Sequence, residues 1–446
     1  SLIAADLAAL GRLDYDSMTQ QALMEMVISQ MSHENQAASQ DFHENFLDIN
    51  EWDGLVLNDD GTIREMVWST PHTIEDPPES QGKILLEWVP DTVEEIWLVD
   101  RGFEGVLECQ KLPKNLLEFH VGNNRLTGQL SFSDLPKRIR NFNILQNHLT
   151  GNLDLQSLPS NLMHVNVSRN DLAGAILLRT DVPQLKELYI GGNRFVGSLN
   201  IAQLPNSLLD FACDRSAFTG SFPSHSLPKT LQAINITRNN FHGSFCLENL
   251  PPELKRLFAH NNSFEGTLSL QNLPKTLTKI LAAGNAFRGT VSLISLPETL
   301  TVLSFHENSL SGTLDLTHLP RILEKLSCST NSFTGELCLT CLPLAMQELV
   351  LDENNFIGSI DLSNLPGSLR HLSLSKNALS GDISITPNAY CLRYLYLHKN
   401  QFSGDLDLTE MPRNLEILWL NDNAFEGILT VGKRLKRLKA TKNNKL

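Results

Sequence analysis

The sequence predicts an α/β repeat solenoid, and three columns of residues predict it. An asparagine recurs on a 23-residue period, at Asn124, Asn147, Asn170, Asn193, Asn239, Asn262, Asn285, Asn308, Asn331, Asn354, Asn377, Asn400 and Asn423. Apolar residues, mostly leucine, stand eight, five and three places before it, as Leu392, Leu395 and Leu397 do before Asn400. Phenylalanine or leucine follows two places after the asparagine, and glycine four places after. A fixed period of roughly 20 to 50 residues marks stacked supersecondary units, each burying its apolar face against its neighbours.

Within one unit the LxL alternation gives a short strand whose leucines face inward while the residues between them face out. One copy places Met346 at the first apolar position, and Cys213 and Cys328 take the last, as small core residues. The phenylalanine column reads as a stacked internal spine. The glycines, from Gly105 to Gly427, read as a place where every coil turns tightly or takes positive φ. The asparagine amide is suited to bonding turn backbone that would otherwise be buried unsatisfied. Arg101 and Ser216 break its column. The LxLxxLP segment, as in LDLTHLP, reads as a second extended stretch ended by proline.

These units resemble leucine-rich repeats of the LxGxL form found in plant receptor-type proteins and in many protist proteins, including kinetoplastid surface antigens. The match runs from about Gln81 to Asn423. The resemblance implies a curved array with a parallel β-sheet on its concave face. EWDGLVLNDDGTIREMVW is similar to the W-x-G cap and hairpin that precede the first coil in such proteins, with NDDG as the turn. Upstream, DSMTQQALMEMVISQM has helical spacing of apolar residues and is expected to cover the end of the first coil. STPHTIEDPPES is a polar insertion, and the final unit RLKRLKATKNN is shortened. The expected organisation is an acidic cap over 1–80, a solenoid over 81–430 and a basic capping coil over 431–446.

The formal charge of −14 resides entirely in the first 90 residues, which hold 17 acids and 3 bases. The last sixteen residues carry seven Lys or Arg and no acid, which offers a contact for an acidic partner. Contact between acidic cap and basic tail of successive molecules is a further expectation. No apolar run approaches the ~18 residues needed to cross a bilayer. The seven cysteines include no paired set in a cap. Cys246 and Cys338 share a repeat position four coils apart, roughly 19 Å at about 4.8 Å per strand, too far to bridge. This favours an intracellular or organellar compartment over secretion.

The outward strand positions lie six, four, two and one places before the asparagine, on the surface a solenoid ordinarily uses for a partner. The four-before column holds Trp97, His120, Tyr189, Phe258, Tyr396 and Trp419, with Tyr394 and His398 beside the last pair. Large aromatics dominate contact energy at interfaces, so Tyr396 and Trp419 on adjacent coils, with Tyr394 and His398, are the best candidate anchor, weighed against aromatics that only cover one another. A second cluster combines Arg215, Arg238 and His260 with Arg169 and Arg256, interleaved with Asp210 and Asp214. It could take an acidic peptide or phosphate, or neutralise itself.

Cys338 and Cys341 form a CxxC without a second pair, and His260 and His306 stand about 10 Å apart by strand spacing, so neither suggests a metal. The sequons at Asn166, Asn235 and Asn261 are expected by chance in so asparagine-rich a chain. No nucleophile elbow, phosphate loop or isolated carboxylate pair points to catalysis, a cofactor or a small-molecule substrate. The function expected is non-enzymatic recognition of a protein or peptide on the concave strand face. The second reading is a structural subunit held in an assembly through its ends and sides.

Overall fold

A computed structural model describes residues 15–69, 81–385, 387–408, 411–431 and 435–443. Nearly all of the polar insertion, residues 70–80, lies outside the described residues. The chain divides into two compact units, Ser1–Gly197 and Ser198–Leu446.

In the first unit, helix Gln20–Ile28 begins where the Thr19 hydroxyl accepts the Ala22 N–H. It buries Leu23, Met24, Val27 and Ile28, the inward stripe that the apolar spacing predicts. The Val27 carbonyl accepts the Leu85 N–H at 3.1 Å, which docks the helix on the first coil. The expected hairpin forms from strands Leu55–Leu57 and Ile63–Val67. Its turn closes where the Asn58 N–H meets the Thr62 carbonyl at 2.8 Å, with Gly61 at φ 79°. Strand Ile63–Val67 then pairs in parallel with Glu95–Trp97, so the hairpin supplies the starting edge of the ladder. Strands Glu118–His120, Asn141–Asn143, His164–Asn166 and Glu187–Tyr189 follow in parallel, with Ile96, Phe119, Phe142, Val165 and Leu188 opposite one another.

The second unit repeats the arrangement from strand Asp210–Ala212 to Arg437–Lys439. The last step is shorter: Leu395 pairs with Leu418 after 23 residues, and Leu418 with Leu438 after 20. All three apolar columns are buried, including Met346, Cys213 and Cys328 at 0 % exposure. All seven cysteines are free thiols. In the phenylalanine column, Phe218, Phe241, Phe264 and Phe287 stack with centroids 6.2–6.4 Å apart. That is the offset spacing aromatic rings prefer, and it makes the column a spine.

Each unit also has a second set of parallel strands, and their place corrects one expectation. Pairing runs through the phenylalanine and glycine columns, as in Ser263–Thr267 against Ala286–Thr290. It reaches the LxLxxLP segment where Gln401–Leu408 pairs with Ala424–Val431, through Asp407 with Thr430 and Leu408 with Val431, and elsewhere among the described residues it stops before that segment. In the first unit that segment forms short 3-10 turns such as Phe132–Asp134. Its proline carbonyl then accepts the N–H of the next leucine, as Pro136 does from Ile139 at 3.2 Å. The column glycine lies inside the second strand or just past its end, at positive φ. At Gly128 (φ 124°) a Cβ would stand 2.6 Å from the Leu107 carbonyl oxygen, a contact no other residue tolerates.

The asparagine column is a hydrogen-bond ladder. Asn124 donates from Nδ2 to the Leu98 and Val121 carbonyls at 2.6 and 3.0 Å and accepts the Phe103 N–H at 2.9 Å. Leu98 and Phe103 belong to the preceding coil, so each asparagine completes the backbone of its predecessor. Arg101 serves where the predecessor is the hairpin: its guanidinium donates to the Trp68 carbonyl at 2.9 Å and to Asn35 Oδ1 at 2.6 Å. Since Val67 pairs with Trp97, the Trp68 carbonyl is the register equivalent of those the asparagines bind. The ladder continues past Asn423 to Asn443, which donates to Leu420 and Ala440 and accepts from Phe425. At the other interruption, the Ser216 hydroxyl is buried without a partner.

The residue just before each ladder position is left-handed, with φ from 50° at Arg215 to 66° at Gly192 in the column from Asp100 to Lys442. Three cations of the terminal basic segment have partners within the chain. Lys436 pairs with Glu416 at 2.9 Å, Lys442 with Asp422 at 3.5 Å, and Lys439 covers Trp419 at 4.0 Å. No helix among the described residues is long and apolar enough to cross a membrane.

Candidate functional site

Parallel pairing places residues of equal repeat position side by side, so the aromatics of the second unit converge by register. Tyr394 and Tyr396 flank Leu395 on one strand and Trp419 lies directly opposite Tyr396 on the next. The rings meet edge to face: Tyr396 and Trp419 centroids are 5.0 Å apart at 76°, and His398 and Trp419 are 5.3 Å apart at 67°. His371, on the preceding strand, meets Tyr396 at 5.4 Å and 79°. The Lys439 ammonium lies 4.0 Å above the Trp419 ring, a cation–π contact.

Four polar atoms in this cluster are buried and have no hydrogen-bond partner: Trp419 Nε1, His398 Nδ1, His371 Nε2 and Asn421 Oδ1. Buried polar atoms are ordinarily paired. Each orphan costs about 1–3 kcal/mol, so their concentration in one cluster is a stability sacrifice at a surface. The chemistry on offer is mixed. Trp419 presents an N–H donor, Asn421 an acceptor, and His371, whose Nδ1 lies 3.4 Å from Glu348 Oε1, presents its other nitrogen. Burial, followed by Lys399 and Lys376, pushes the His398 pKa below the usual histidine value. The hydrogen bond from His371 and then the Lys325 contact outweigh burial at Glu348, whose carboxyl is pulled down to about 2. Burial raises the Tyr396 hydroxyl.

The first unit's aromatics are arranged differently. Trp97 and His120 stack face to face, 3.7 Å between centroids and 9° between planes. Trp97 Nε1 donates to Glu95 Oε2 at 3.1 Å, and His120 Nε2 meets Glu118 Oε2 at 3.1 Å. Tyr189 ends strand Glu187–Tyr189, beside the strand on which His164 pairs with Glu187 at 3.1 Å. These side chains form a network with its polar groups largely paired.

The arginine cluster does not assemble as one network. Arg169 belongs to the first unit, where it donates to Gln146 at 3.0 Å. Within the second unit Arg256 is held by Asp210 at 3.0 Å, while Arg215 lies 3.9 Å from Asp214. Arg215, Arg238, Thr237, His260 and Phe258 line a shared depression of about 230 Å³. Thr237 and His260 Nδ1 are 3.2 Å apart. Burial first, then Arg238, His306 and Arg215, push His260 below the usual histidine value.

Cys338 and Cys341 are both exposed, with the Thr340 hydroxyl between them at 3.4 and 4.0 Å. Hydrogen bonds from Thr340 and Cys341 lower the Cys338 pKa. Among the described residues no group of three or more His, Cys, Asp or Glu is placed to hold a metal. His371, Asn421 and Lys439 escaped the sequence reading. Lys439 stands four places before Asn443, in the same column as Tyr396 and Trp419, and it becomes legible once the ladder is extended by its shortened last step.

No protein-family model matches the sequence, and no curated protein does either. Solved structures do match. A TDR receptor is 22% identical, with 80% of this chain and 69% of that one covered at a TM-score of 0.61. The leucine-rich repeat ectodomain of the Arabidopsis receptor kinase HAESA, in complex with an N-terminally extended IDA peptide hormone, is 19% identical over 95% of this chain and 85% of its own, also at 0.61. YopM from Yersinia enterocolitica WA-314 is 24% identical over 86% and 74%, again at 0.61. Receptor and bacterial proteins match equally well, and what they share with this chain is the coil; the fold is that of a leucine-rich repeat solenoid.

Proposed function

We propose that the protein is a non-enzymatic recognition module that holds a segment of a partner protein or peptide against its strand face, with Tyr396 and Trp419 as anchors. The observation that carries this reading is the group of four orphaned polar atoms around those rings. Once the side chains that cover these atoms move aside, a partner backbone, with a carbonyl for Trp419 and an N–H for Asn421, supplies the bonds they lack, and the rings supply apolar area. Peptide capture by another chain of this fold, the HAESA ectodomain, supports recognition as a use of the architecture. The absence of a sequence pattern for catalysis points the same way.

The test is a titration of wild type and the Tyr396→Ala, Trp419→Ala double variant against the partner recovered by affinity capture and then purified. Loss of both anchors is expected to weaken binding at least about thirtyfold, since one interface hot spot is worth ~2 kcal/mol or more. Equal affinities would remove the strand face around these residues from consideration.

A further inference from the structure

The depression beside Arg215 and Arg238 carries positive charge that the chain leaves unbalanced. Both arginines occupy the left-handed position before the ladder in successive coils, at φ 50° and 55°, and both are exposed. The carboxylate nearest Arg215 is Asp214, 3.9 Å from Nε, too long for a forked pair. Arg238 has no carboxylate within 4.0 Å among the described residues. Arg256 shows what a satisfied arginine looks like on the same face, 3.0 Å from Asp210. Burial first, and then Arg238, His306 and Arg215, disfavour protonation of His260 beside them.

The lining suits one compact anion. Two guanidinium groups present planar donor forks, the geometry that matches carboxylate and phosphate oxygens. Among the described residues the His260 ring bonds through Nδ1 to Thr237, and it lines the depression with Nε2 left without a partner of its own. Phe258 lines the same depression and offers apolar surface to a methylene stem. Asp214 lines the depression with the two arginines, which leaves one net positive charge there and opposes a continuous polyanion such as a nucleic-acid backbone more than a single compact anion.

We propose that this depression takes one anionic group, a carboxylate or a phosphate, borne by a side chain of an extended peptide on the strand face. The inference rests on the recognition reading above and gives the partner a chemical signature: an acidic or phosphorylated residue at one fixed position. A side chain in this depression is selected by charge, and one at Tyr396 and Trp419 by shape and hydrogen bonding. The two contacts are therefore separable by mutation.

The experiment uses the full chain and otherwise identical extended peptides with a central serine, glutamate or phosphoserine, followed by fluorescence anisotropy. Inorganic phosphate serves as competitor and an oligothymidylate as the nucleic-acid control. The glutamate or phosphoserine peptide is expected to bind about tenfold tighter than the serine peptide, as one charge-assisted pair implies. The stronger of the two identifies the anion. The Arg215→Gln, Arg238→Gln variant should lose the preference, while Asp214→Asn, which removes a competing carboxylate, should enlarge it. Equal binding of all three peptides, a preference that survives in the arginine variant, or tighter binding of the oligothymidylate would each overturn the proposal. The Tyr396→Ala, Trp419→Ala variant should keep the anion preference. If that variant still captures the native partner while the arginine preference holds, the anchor reading fails and this one stands.

Discussion

Trp97 and Trp419 occupy the same place in the repeat, four residues before a ladder position, yet their surroundings are opposite. The indole N–H of Trp97 is bound by Glu95, its face is covered by His120, and Glu118 holds that histidine. The indole N–H of Trp419 is buried with nothing to bond, and its neighbours His398, His371 and Asn421 each have an unpartnered atom. The cause lies two residues upstream on the same strand face, where residues i and i+2 point the same way. That position is Glu95 before Trp97 and Glu118 before His120, but Ile417 before Trp419 and Tyr394 before Tyr396. One column can thus build a closed structural patch or an open one, depending on a carboxylate in the column beside it.

The largest expected effect is on capture. Trp419→Ala should weaken partner binding about thirtyfold or more, while Trp97→Ala should change it by less than about twofold. A comparable loss from both would erase the distinction. Next is an attempt to close the open patch. Ile417→Glu places a carboxylate where Glu95 stands in the first unit, and it should cut partner affinity by about tenfold by occupying the Trp419 N–H. Undiminished binding would show that this N–H faces no partner.

Stability should move in opposite directions when the indole nitrogen is removed. Trp97→Phe loses a made hydrogen bond and should cost about 1 kcal/mol, whereas Trp419→Phe deletes an orphan and should gain about as much. Denaturant midpoints at unchanged slope are the measure, and equal signs would contradict the orphan assignment. The smallest expected effect is in pH. The folded-state pKa of His398 lies below its ordinary value of 6.5, so the unfolded chain takes up the proton first. The associated stability is present above pH 6.5 and is lost as pH falls below it. The unfolding midpoint should therefore drop between pH 7.5 and 5.5, and less so in His398→Asn. Glu348, held at about 2 from an ordinary 4.5, contributes in a lower window: its stability is present above pH 4.5 and disappears as pH falls toward 2.

The frame was legible because it is periodic. Leucines, phenylalanines, glycines and asparagines sit in fixed columns, and the structure buries or bends each column as those spacings imply. Legibility failed where periodicity did. Asn443 follows a 20-residue step, so it and Lys439 fell outside the columns. The left-handed residue before the ladder has no signature, since it is Asp, Asn, Gln, Arg, Glu, Thr or Lys in different coils and glycine at just Gly192 and Gly284. Pairing of side chains on the strand face depends on rotamers and on residues one or two coils away. The sequence singled out Tyr396 and Trp419 by their adjacency but did not show that Trp97 and His120 would have their polar atoms paired with carboxylates, nor that Arg256 would be neutralised while Arg238 would not.

The ladder also has a direction. Every asparagine binds backbone in the coil before it, and none completes its own coil alone. A chain leaving the ribosome therefore carries one unfinished coil at its growing end, sealed when the next 23 residues arrive. Synthesis order and assembly order coincide. Asn443 closes the coil of Asn423 in the same way after a step of 20 residues. A truncation anywhere upstream of it leaves an unsealed coil at the new terminus, whereas loss of a whole internal unit leaves every junction chemically complete.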